Sequence, residues 1–127
     1  GTYKSIGAAA IYCDRGEGET WNLTIEDGTF IASNFTAVSL QNNNGNTAAK
    51  QGLAEIKGGI FTGVENVAYR YDLYLANVIA KIDAASCTFS QGKGVWLQTN
   101  GQYSSVINNT TYTEASKGVA NGYILNN

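Results

Sequence analysis

Hydrolysis of a glycosidic bond needs two carboxylates held about 5–10 Å apart, so the acidic residues of this 127-residue chain are the first to weigh. Asp14, Glu17 and Glu19 stand close in sequence, but the run from Asp14 to Thr20 reads as a flexible polar loop. Asp72 lies near Arg70, with no second Asp aligned beside it. There is no His, which excludes a histidine general base, a Ser-His-Asp triad and the usual zinc sites. Glu26, Lys57 and Asp83 occupy matching positions of a repeat described below, as do Glu55 and Lys81. Opposite charges one repeat apart stabilise strand pairing by about 0.2–1 kcal/mol per pair. Catalytic acids would instead cluster without a Lys between them. The expectation is a chain without catalytic residues, metal ion or cofactor.

Aromatic residues offer a different chemistry. Tyr12, Ser39, Tyr74, Trp96 and Ile124 each fall between two inward-facing apolar residues, and so form one outward column. Exposed rings on a rigid sheet can stack on sugar faces, and the neighbouring carboxylate of Asp72 could accept bonds from sugar hydroxyls. The same stripe suits a protein contact. A segment such as residues 64–70 could instead cover it.

The elements that would hold these residues come from a repeat. A short strand recurs as Ala10-Ile11-Tyr12-Cys13, Ala37-Val38-Ser39-Leu40, Asp72-Leu73-Tyr74-Leu75, Gly94-Val95-Trp96-Leu97 and Gly122-Tyr123-Ile124-Leu125. A second motif follows it in phase, running from Leu23 to Phe30, Ala54 to Phe61, Ala80 to Phe89 and Ser105 to Tyr112. The third copy is two residues longer between its Ile and its Phe. Such a unit cannot bury its apolar side alone, so neighbours must stack. Alternation then predicts an inner column of Ile25, Ile56, Ile82 and Ile107, and a corner column of Phe30, Phe61, Phe89 and Tyr112. Gln41-Asn42, Ala76-Asn77, Gln98-Thr99 and Asn126-Asn127 share one turn position, where stacked Asn side chains can satisfy turn amides. The run from Asn42 to Asn46 reads as a polar turn between repeats.

This register sets Cys13 and Cys87 two repeats apart, about 10 Å at the usual strand spacing. A disulfide needs Cα atoms within about 7 Å. Two free thiols are expected, Cys13 inward and buried, Cys87 at a corner and partly exposed.

The composition agrees with an all-β fold. There are 15 Gly and no Pro, and short apolar bursts alternate with Gly and Asn. Charged residues make up 14% and the net charge is −2, which leaves no basic footprint for nucleic acid. No apolar run approaches the roughly 20 residues that span a bilayer. The absence of Met reads as a processed or partial chain, and neither end shows a cap over its strand edges. Asn-x-Ser/Thr triplets stand at Asn22, Asn34, Asn108 and Asn109.

The segment Ile56-Lys-Gly-Gly-Ile-Phe61-Thr-Gly63, its relative Ile25-Glu-Asp-Gly-Thr-Phe30 and the Asn positions resemble right-handed parallel β-helix proteins. That pectate-lyase-like superfamily includes pectin-degrading enzymes, phage tailspikes and tail fibres, and bacterial surface proteins. The resemblance implies a single-stranded right-handed β-solenoid of about four to five coils over residues 1–127. The expected role is a non-enzymatic extracellular, cell-surface or virion module. It would self-associate or contact neighbouring solenoid coils, and could bind a surface glycan through Tyr12, Tyr74, Trp96 and Asp72. The alternative is a carbohydrate-active enzyme of the same class.

Overall fold

A computed structural model describes residues 1–14, 20–42, 51–64, 72–90, 94–97 and 104–112. Thirteen short strands make up the described fold: β1 (Thr2–Ser5), β2 (Ile11–Cys13), β3 (Asn22–Ile25), β4 (Thr29–Ala32), β5 (Val38–Gln41), β6 (Gly52–Ile56), β7 (Gly59–Thr62), β8 (Leu73–Ala76), β9 (Val78–Ile82), β10 (Cys87–Phe89), β11 (Val95–Leu97), β12 (Ser105–Ile107) and β13 (Thr110–Tyr112). Among the described residues a 3-10 turn, Ala84–Ser86, interrupts them. No helix among the described residues is long and apolar enough to cross a membrane. The protein is all-β, and among the described residues its strands pair in parallel except for β12 and β13.

The pairing follows one rule. Each strand lies beside the strand three places further along, giving sheets ordered β1-β4-β7-β10, β2-β5-β8-β11 and β3-β6-β9-β12. The recurring sequence motifs superpose as their alternation requires. Ile11, Val38, Leu73 and Val95 are register partners in turn. So are Ile25, Ile56 and Ile82, and Phe30, Phe61 and Phe89. With Leu40, Leu75 and Leu97 these side chains form one buried core, against which half-buried Ile11 and Phe89 pack. Asn77 Nδ2 donates to the carbonyl oxygen of Asn42 at 3.0 Å, so the turn position does bridge adjacent strands. The later members of that turn column, and the strand at 122–125, lie outside the described residues, as do 15–19, 43–50 and 65–71.

Corners precede the ladder of rings. Gly28 and Gly59 hold φ of 132° and 134°, a region closed to residues with a Cβ. Both corners point the next aromatic inward. In the third copy the 3-10 turn Ala84–Ser86 replaces the glycine corner, which accounts for its two extra residues. The ring column also extends one step earlier than the motif suggests. Tyr3 pairs with Phe30, and Tyr3, Phe30, Phe61 and Phe89 stack with centroids 5.3, 5.4 and 5.8 Å apart.

Three expectations need correction. Ile107 pairs with Ala80, two residues from the expected Ile82. The slip keeps Ile107 buried because facing repeats every two residues. It arises because Asn108 and Asn109 take φ of 49° and 71° and turn the chain back into an antiparallel β13. Tyr112 therefore pairs with Ser105 at the edge of the β3 sheet, and its strand does not extend the β1 sheet that carries Phe89. That return pairs with β12 and leaves β13 as the outer strand of the sheet. Both thiols are free, but their exposures are exchanged: Cys87 is 3% exposed within the core, and Cys13 is half-buried. The 3-10 turn tucks Cys87 inward, whereas Cys13 sits on the edge strand β2.

Candidate functional site: the outer face of the β2 sheet

Short strands with inward aliphatics leave their central residue pointing outward. Tyr12, Ser39, Tyr74 and Trp96 accordingly stand in one register row across β2, β5, β8 and β11. Ile124 lies outside the described residues. The Tyr74 and Trp96 rings stack at 4.8 Å with an interplanar angle of 29°.

The row is in place, but it is not an open stripe. Tyr12 is 57% exposed, Trp96 is half-buried, and Tyr74 is only 7% exposed. Phe35, from the β4–β5 connection, lies against Tyr74 with ring centroids 6.3 Å apart. Ser39 is fully buried between the two tyrosines, and its hydroxyl finds no hydrogen-bond partner among the described residues. Asp72 is also fully buried. Its Oδ1 accepts a bond from the Gly63 amide at 2.9 Å, and its carbonyl oxygen accepts from the amides of Ala37 and Val38. Asp72 thus ties the start of β8 to neighbouring turns and offers no open carboxylate to a sugar.

The accessible chemistry gathers at the β2 end of the row. A shallow depression of about 300 Å³ is lined by Tyr12, Cys13, Asp14 and Trp21. The Tyr12 hydroxyl donates to Asp14 Oδ2 at 3.4 Å and accepts from Gln41 Nε2 at 2.6 Å. Burial and then the Asp14 charge raise its pKa. The Trp21 indole N–H donates to the Gln41 carbonyl oxygen at 2.9 Å. Two ring faces, a carboxylate and an amide can together hold a polyhydroxylated ligand. Sequence reasoning missed Trp21. Its signal is the glycine opposite: a Cβ at Gly52 would overlap the indole.

Neither thiol is an activated nucleophile. Burial raises the pKa of Cys13, and burial followed by the Asp83 charge pushes Cys87 up to about 11. On the β3 sheet, Lys57 Nζ and Glu26 Oε1 form an ion pair at 3.1 Å, as the alternating charges predict. No protein-family model matches this chain, and no curated protein or solved structure is significantly similar to it.

Proposed function

We propose that the chain winds as one right-handed parallel β-helix and serves as a non-enzymatic structural or adhesion module of a cell surface, a virion or the extracellular space. The observation that carries this reading is the three-strand pairing rule. Strands that step through three sheets and return beside their predecessors have the connectivity expected of winding about one axis. Crossovers between parallel strands are right-handed in about 98% of cases, which supports the hand. The setting and role follow the resemblance to surface and tail-fibre solenoids. The aromatic end at Tyr12 and Trp21 is the proposed point of contact with a glycan or a protein partner.

Titration of the chain with neutral and acidic polysaccharides, followed by tryptophan fluorescence, tests the contact. Binding that Tyr12→Ala weakens about tenfold supports it. Turnover of any polysaccharide in the same series, with or without calcium, overturns the non-enzymatic role.

A further inference from the structure

A second ordered surface lies on the outer face of the β3 sheet. Leu53 on β6 and Ile79 on β9 are register partners, and Ile79 pairs in turn with Val106 on β12. Leu53 is 46% exposed, and the other two are half-buried. Beside this apolar row, Glu55 pairs with Lys81, and both are exposed. One step further, Lys57 and Asp83 extend the same register, because their amides donate to the carbonyl oxygens of Ile25 and Ile56 at 2.8 and 2.9 Å. Shallow depressions of about 330 and 300 Å³ flank these rows.

Both charged rows change sign between β6 and β9. Glu55 gives way to Lys81, and Lys57 gives way to Asp83. A two-fold axis parallel to the strands, midway between β6 and β9, keeps the strand direction of a second copy and reverses its strand order. That operation sets Leu53 against Ile79 of the second copy. It also sets each Glu55 opposite a Lys81 and each Lys57 opposite an Asp83. An axis perpendicular to the strands through the middle row would instead oppose Glu55 to Glu55 and Lys81 to Lys81. Only the first arrangement is complementary in charge and in apolar contact.

We propose that this face docks a second copy of the chain through that isologous two-fold. Five short strands spaced about 4.8 Å apart offer a few hundred Å² per copy, below the roughly 800 Å² that each partner buries in a standard interface. Association is therefore weak and rises with concentration. The pairing needs only the observed strand register, and so stands independently of the role proposed above.

Sedimentation velocity over a wide concentration range tests it, with circular dichroism to verify folding. The parent chain should shift from monomer to dimer. Glu55→Lys and Lys81→Glu should each weaken that dimer by about tenfold or more, since each sets like charges face to face. An equimolar mixture of the two variants should restore association, because every charged pair is again opposite in sign. Leu53→Gln should weaken the dimer while leaving the fold intact. A parent chain that stays monomeric at the highest concentration overturns the proposal. So does a dimer that persists equally in both single variants, or a mixture that fails to associate.

Discussion

Asn108 clasps the backbone of Ile82 at both ends of its amide. Its Oδ1 accepts from the Ile82 amide at 2.8 Å, and its Nδ2 donates to the Ile82 carbonyl oxygen at 2.9 Å. The side chain thereby completes the end of β9 that the shortened β12 no longer reaches. Asn108→Ala removes both bonds and places Ala in a left-handed conformation. A loss of about 2–3 kcal/mol is expected in urea unfolding. Asn108→Asp keeps the acceptor and loses the donor, so it should fall between the two.

Gly52 and Trp21 form a second obligatory pair. Gly52→Ala puts a methyl group where the indole lies, and the ring must move. Destabilisation of about 1–3 kcal/mol is expected, with a red-shifted tryptophan emission as the ring loses its bond to the Gln41 carbonyl. Trp21→Leu should remove most of that clash, and the double variant should cost less than the sum of the two single changes.

The aromatic column should be unequal along its length. Phe61 is fully buried between Phe30 and Phe89, while Tyr3 stacks on Phe30 alone and remains 54% exposed. Phe61→Ala should cost about 3–5 kcal/mol. Tyr3→Ala should cost no more than about 1–2 kcal/mol, with half its ring already in water. Equal losses at the two positions would contradict the burial described.

Alkaline pH should weaken the fold through Cys87. The unfolded thiol ionises near its ordinary value of 9.0, and the folded one near 11. Between those values the unfolded chain binds fewer protons, so the thiol's contribution is complete below about pH 9 and is lost as pH rises towards 11. Cys13 and Tyr12 are shifted in the same direction. Cys87→Ala should flatten the slope of stability against pH in this window. In the native protein at pH 8, alkylation should reach half-buried Cys13 before Cys87.

Inside-outside alternation was the legible part of the sequence. Because each strand is short and its inward residues are bulky, the column of Tyr12, Ser39, Tyr74 and Trp96 could be placed in register from spacing alone. The columns of Ile25, Ile56 and Ile82 and of Phe30, Phe61 and Phe89 could be placed in the same way. Alternation is blind to a shift of two, however, and that is how far Ile107 moved. It is equally blind to what arrives from elsewhere in the chain. Phe35 closing on Tyr74, and the Gly63 amide on Asp72, turn two expected surface residues into interior ones. Tyr3 follows Gly1 at the spacing at which Phe30 follows Gly28, but no Ile five residues ahead marks it, as Ile25 marks Phe30, and so it could not be read as the first ring of the column.

The backward turn at Asn108-Asn109 makes the two borders of the five-stranded sheet chemically dissimilar. Parallel partners exchange evenly spaced, slanted bonds, whereas antiparallel partners alternate narrow and wide pairs. A newcomer strand aligning with β3 would meet the rhythm shared by the rest of that sheet, while one approaching β13 would meet a chain running the other way. The sheet therefore has a heading, like a brick with a tongue on one side and no matching groove on the other.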